Sequence, residues 1–254
     1  MVIDRWTKEQ TIVAFNLYCK IPFQKASSTN PDIVRVAKVI GRSPNSVKMK
    51  IGNFGSFDPE LKKKGIVGLT NASALDKEVW DEFNGDWNNL AFESERLIAE
   101  FSHKNIEESS GIDLSDFPNG ETRERLVETR VNQNFFRQTI LSAYNNTCCI
   151  TGINISELLI ASHIIPWSKR KDARMNPRNG LCLNALHDKA FDRGLITVLP
   201  DFTLRISKKI NQECEQEIAN IWFKNFSNKQ IILPERFKPD VDFLQYHNDN
   251  IFIT

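Results

Sequence analysis

Apolar positions in the first fifty residues recur at helical spacing, and each run opens on a helix-start signal. Thr7-Lys-Glu-Gln10 has the form of a capping box, with Ile12, Val13, Phe15, Leu17 and Tyr18 as the apolar face behind it and Pro22 as the stop. Asn30-Pro31 opens a second helix carrying Ile33, Val36, Ala37 and Ile40 up to Gly41. Ser43-Pro44 opens a third, with Val47, Ile51 and Phe54 on one side and Asn45, Lys48, Lys50 and Asn53 left to face elsewhere. Two short helices across a tight Gly-Arg turn make a helix-turn-helix pattern. Read as a DNA-binding element, it puts Arg42, Lys48 and Lys50 on phosphates and Asn45 or Ser46 near base edges.

Further along, Trp80, Phe83, Trp87 and Phe92 read as core of the same domain. From about Arg96 to Glu128 the chain becomes acidic and rich in Ser, Gly and Asp, with Pro118-Asn-Gly as a turn signal, and is expected to be a linker. "VNQNFFRQTILSAYNN" then returns to helical spacing and ends at Asn145-Asn146. "CCITG" and "LLIASHI" read as two short strands, residues 183–192 as a short helix, and "GLITVLPDFTLRIS" as a hairpin turning at Pro200-Asp201. A helix near Glu213 to Phe226 follows. The expected class is α+β, with a helical domain at 1–95, an acidic linker at 96–128 and a mixed domain at 129–254.

Composition changes this picture in two respects. The formal net charge of the 254 residues is only +1, but it averages over unlike regions. Residues 1–50 hold nine Lys/Arg against three Asp/Glu, whereas residues 76–128 hold five against fifteen. A polyanion is therefore a compatible partner for the first region. The five cysteines are scattered and form no Cys-x-x-Cys pair, which argues against a disulfide framework and a structural zinc site. No apolar run is long enough to cross a bilayer, and Met1 leads into Val-Ile-Asp-Arg-Trp, so the expected location is the cytoplasm.

The candidate chemistry lies in "ASHIIPWSKRKDARMNPRNGLCLNALHDKAFDRG". His163 ends an apolar strand that Pro166 stops, Asn179-Gly180 marks a turn, and Asp188 and Asp192 accompany His187 on the short helix. Strand, loop and helix can bring two imidazoles to one cleft.

"YNNTCCITG", "ASHIIPW", "NPRNGLCL" and "LHDKAFDRGLI", in this order and spacing, resemble the HNH endonuclease family, whose core is the ββα-metal fold. Weaker similarity extends upstream through "VNQNFFR" and downstream to "YHNDNIF". The N-terminal half looks more loosely like the helix-turn-helix region that precedes such domains in bacterial restriction-endonuclease-like proteins. The resemblance implies a ββα-metal nuclease domain that hydrolyses DNA with one Mg²⁺ or Mn²⁺ and leaves 5′-phosphate and 3′-hydroxyl ends.

Residue by residue, the resemblance makes His163 the general base, Asn179 the residue that pins the loop and orients it, and His187 a metal ligand. Lys169, Arg170, Arg174 and Arg178 in the intervening loop are candidates to hold the phosphate. Many members place Asp directly before the first His as a second ligand, where this chain has Ser162. A neutral hydroxyl is a poor ligand for a hard cation, so the remaining coordination falls to His187, water, substrate phosphate and Asp192 or Asp188. His103 and His247 read as structural.

These expectations combine into a restriction-type endonuclease that binds duplex DNA, with modified or foreign DNA as its target and a homodimer as the form that cuts both strands. Two other readings stay open: a non-catalytic DNA-binding regulator with a degenerate HNH core, and an RNA-directed nuclease.

Overall fold

A computed structural model describes residues 5–66, 68–69, 71–112 and 122–254. The Pro118-Asn-Gly turn signal lies outside the described residues. The chain divides into two compact units, residues 1–139 and 140–254.

The first unit is helical, and its helices start where caps and prolines place them. α1 (Lys8–Lys20) begins at Thr7, whose hydroxyl accepts from the Gln10 amide while the Gln10 side chain returns to the Thr7 N–H. α2 (Pro31–Val39) and α3 (Pro44–Gly55) are capped by Asn30 and Ser43, each followed by proline at the first helical position. Gly41, at φ +67, makes the left-handed turn between them. α4 (Pro59–Lys63), α5 (Ala74–Phe83), α6 (Trp87–Phe101) and α7 (Ile106–Ser110) complete the unit together with most of α8 (Arg123–Ala143). α6, α7 and the start of α8 therefore occupy much of the span expected to be an acidic linker.

An aromatic cluster centres this unit. The Phe15 ring lies 4.8 Å from Phe54 and 5.3 Å from Trp80, and all three side chains are buried. Each such burial contributes roughly 1.5–3 kcal/mol.

The second unit carries two small antiparallel sheets. β1 (Leu159–His163) pairs with β2 (Gly180–Asn184), placing Ser162 opposite Leu181 and His163 opposite Gly180. α9 (Ala185–Asp192) follows β2 directly and packs on both strands. β3 (Ile196–Val198) and β4 (Leu204–Ile206) form the hairpin expected around Pro200-Asp201. α10 (Lys208–Glu213), α11 (Gln216–Trp222) and α12 (Val241–Asn250) follow.

One strand assignment is corrected. "CCITG" forms a turn, with Gly152 N–H donating to the Cys148 carbonyl and Gly152 itself at φ +76, and the partner of β1 is instead Gly180–Asn184. The helix accordingly begins at Ala185 rather than at 183.

Candidate active site

β1, the loop after it and α9 bring the candidate residues together. The loop is held by Asn179, which is 1% exposed. Its Oδ1 accepts from the Ile165 N–H at 2.8 Å, and its Nδ2 donates to the Ile165 and Ala173 carbonyls at 3.1 Å each. These three bonds tie both ends of the 165–179 loop to one buried amide. A loop fixed in this way fixes the Arg174 carbonyl, which lies one residue beyond Ala173.

His163 uses that carbonyl. Its Nε2 lies 2.9 Å from the Arg174 oxygen. A carbonyl only accepts, so Nε2 carries the proton and Nδ1 is the basic position of the ring. Burial lowers the His163 pKa below the usual histidine range, opposed by the Arg174 hydrogen bond and by the negative charge of Asp188. The Trp167 ring meets the imidazole edge-on at 5.5 Å, and the Arg174 guanidinium stacks on that indole while donating to the Trp167 carbonyl.

Asp188, half-buried on α9, is the carboxylate that faces β1. Burial raises its carboxyl above the ordinary range; the Ser162 hydroxyl it faces draws it down, Asp192 pushes it up, and Lys189 and His163 draw it down. Asp192, exposed on the same helix face one turn later, is raised by desolvation against Lys189 and Arg193. Ser162 is 2% exposed, and its Oγ has no partner with full hydrogen-bond geometry. The half-buried Asp188 carboxylate, facing the Ser162 hydroxyl and raised further by the negative charge of Asp192, fits a divalent cation, which would relieve that like-charge repulsion. Among the described residues, no three His, Cys, Asp or Glu side chains converge as a ready metal cage. The residues present thus fit a cation that keeps water and substrate oxygens in much of its shell.

His187 is placed differently from the expectation that it ligates metal. It is fully buried, with Phe223 and Phe226 edge-on at 5.6 and 5.8 Å. Its Nε2 donates to the Trp222 carbonyl at 2.8 Å. The α9 cap residue, Asn184, accepts the His187 backbone N–H at Oδ1, which orients its Nδ2 to donate to His187 Nδ1 at 2.8 Å. The one lone pair of this tautomer is therefore occupied, and none is left to bind a cation. Successive helical residues point about 100° apart, so turning His187 into the core is what turns Asp188 toward β1.

The basic residues also divide. Lys50 is 5% exposed and paired with the fully buried Asp76, and its ammonium lies 4.6 Å from the Trp6 ring centre. Arg42 donates to the Gln10 side chain and the Arg5 carbonyl and stacks on the other partner of that site, Trp6, at 5.2 Å. Both were expected on phosphates; Lys50 instead ties α3 to α5 and to Trp6, and Arg42 ties the turn before α3 to residues 5–10. Asn45 and Lys48 are exposed. In the second unit Lys169, Arg170 and Arg178 are exposed, with Arg170 paired to Asp172 at 2.7 Å, whereas Arg174 is engaged by Trp167. Neither the orientation of Asp188 nor the role of Asn184 is marked locally in the sequence; the i, i+4 spacing of Asp188 and Asp192 is the signal for a shared carboxylate face.

Residues 148–199 match the family model described as HNH endonuclease. The matched stretch contains β1, the Asn179-pinned loop, β2 and α9, and the likeness supports nuclease activity in general. No curated protein matches the chain. No helix among the described residues is long and apolar enough to cross a membrane.

Proposed function

We propose that the chain is a metal-dependent DNA endonuclease of restriction type. The observation that carries this reading is the His163 imidazole, held by the Arg174 carbonyl in the tautomer whose basic nitrogen is Nδ1 and lying in the field of Asp188. His163 takes the proton from the attacking water, a contribution of about 10²–10⁴-fold for a positioned base. Asn179 holds the loop that supplies the carbonyl. Asp188 and Asp192 would hold Mg²⁺ or Mn²⁺, in place of His187. When bound, that ion supplies charge neutralisation at the phosphate and its departing oxygen. Lys169, Arg170 and Arg178 sit on the loop beside this site and take the phosphate backbone.

In the helical unit, α2 and α3 serve as the duplex-binding element, with Asn45 toward base edges and Lys48 on phosphate. One site per chain cuts one strand, so double-strand cleavage calls for a homodimer. Modified or foreign DNA is the target class of this reading, with the helical unit as reader.

Plasmid cleavage tests it, run with Mg²⁺ and Mn²⁺ on unmodified and base-modified DNA, with His163→Ala in parallel. Metal-dependent nicking by the wild type that His163→Ala abolishes is the expected result. The second reading, a non-catalytic DNA-binding regulator, is favoured by Ser162 standing where many relatives place a ligand. A wild type that shifts duplex DNA but nicks none of these substrates would establish it and end the enzyme reading.

A further inference from the structure

His247, expected to be structural, is 1% exposed, and its side-chain bonds reach outside the C-terminal segment. Its Nε2 donates to the Phe191 carbonyl in the last turn of α9 at 3.1 Å, and its Nδ1 lies 2.8 Å from Thr197 Oγ1 on β3. The carbonyl fixes the proton on Nε2, so the Thr197 hydroxyl donates to Nδ1. The ring also stacks on Phe191, with centroids 3.7 Å apart and planes 13° from parallel. Phe191 immediately precedes Asp192.

The rest of the segment reinforces this hold. Asn248 Nδ2 donates to the Val198 carbonyl at 2.9 Å, and the Ile253 N–H donates to the Gly194 carbonyl at 2.9 Å. Gly194 sits at φ +67 in the turn that ends α9, and a side chain there would collide with the Ile251 carbonyl. At its other end the segment reaches the basic loop: the Asp240 N–H donates to the Arg178 carbonyl at 3.1 Å, and the Arg170 guanidinium lies over the Phe243 ring at 5.2 Å. Residues 240–253 thus form a strap that touches the loop on one wall of the candidate site and the carboxylate helix on the other.

We propose that this strap positions the metal carboxylates, with His247 as the positioning residue that sets the pose of the last turn of α9, where Asp192 sits, and through that turn the pose of the short helix whose first turn carries Asp188. The inference rests on the reading of those two carboxylates as the cation site. Hydrogen-bonded supports of metal ligands typically change affinity or activity by 10–100-fold when removed, and His247 acts one peptide further out, so the lower end applies.

The test is a Mn²⁺ titration of the full chain, read by the electron paramagnetic resonance of the free ion, for wild type, His247→Phe, Thr197→Val and Asp188→Asn. His247→Phe keeps an aromatic stack on Phe191 and loses both hydrogen bonds. Its Mn²⁺ affinity is expected to fall roughly tenfold. Thr197→Val, which spares the bond to Phe191, should give a smaller loss in the same direction. Under saturating metal, kcat for plasmid nicking should fall while KM for DNA stays at the wild-type value. A His247→Phe protein with native near-ultraviolet circular dichroism and wild-type Mn²⁺ affinity overturns the proposal. If His247→Phe does not fold, Thr197→Val decides, with unchanged affinity counting against it. A wild type showing no Mn²⁺ uptake that Asp188→Asn removes would instead overturn the cation-site reading itself, and this inference with it.

Discussion

His163 and His187 donate Nε2–H to main-chain carbonyls at nearly equal distances, 2.9 Å to Arg174 and 2.8 Å to Trp222. Their other surroundings are opposite. His163 lies at the end of β1 with a carboxylate of α9 acting on it, whereas His187 is enclosed by Phe223, Phe226 and the amide of Asn184. The same side chain with the same tautomer is thus set up as a base in one place and as a core residue in the other. What separates them is where the second nitrogen points, and that is decided by neighbours distant in sequence.

The largest expected effect is on His163. His163→Ala should lower metal-dependent plasmid nicking by about 10²–10⁴-fold with no loss of fold; a variant that retains more than a tenth of wild-type activity would remove the distinction between the two histidines. A contrast of a buried, paired group with an exposed one applies to two lysines of α3. Lys50→Ala should destabilise the helical unit by about 3–5 kcal/mol in denaturant unfolding, because it leaves the buried Asp76 without its cation. Lys48→Ala should leave that stability unchanged and reduce the slope of log affinity for duplex DNA against log salt by about 1.

His187→Gln comes next, with an expected loss of about 1–3 kcal/mol in thermal or denaturant unfolding, since Asn184 or the Trp222 carbonyl loses its partner in a buried setting.

A pH titration of stability extends the comparison to His247, which is buried like His187. Burial lowers His247 to about 4, opposed by its bond to Phe191. Its folded pKa lies below the unfolded value of about 6.5, so the unfolded chain takes up the proton first. Stability from this group is complete above pH 6.5 and declines as pH falls toward 4. Replacing His247 with Phe should flatten the unfolding free energy between those values, and an unchanged slope would show that other groups carry it.

Much of this architecture could be read from the sequence because the signals are local. Thr7, Asn30-Pro31 and Ser43-Pro44 each start the helix they announce, since a cap acts on the N–H groups of the next turn. Asn179 also closes the loop that follows His163, its side-chain amide bonding Ile165 across 14 positions of sequence. The strand β2 was not legible because all five of its residues are buried, so it lacks the alternation that marks a half-exposed strand. "CCITG" has strand composition, but a left-handed glycine bends it. Which of His187 and Asp188 faces β1 could not be read either. Adjacent positions on a helix differ by about 100°, and the choice between them is fixed by the Trp222 carbonyl, 35 positions away. Lys50 was misread for a similar reason, its partner Asp76 lying 26 positions further on.

The most direct measurement of the central claim is Mn²⁺ binding by Asp188→Asn and His187→Gln, compared with wild type by calorimetry under conditions where all three are folded. Asp188→Asn is expected to lose Mn²⁺ affinity on the order of 10²-fold, the upper end of what disturbing a metal's support costs, while His187→Gln stays within a few-fold of wild type. The reverse order, with His187→Gln losing the metal and Asp188→Asn retaining it, would contradict the assignment of the α9 carboxylates as the cation site.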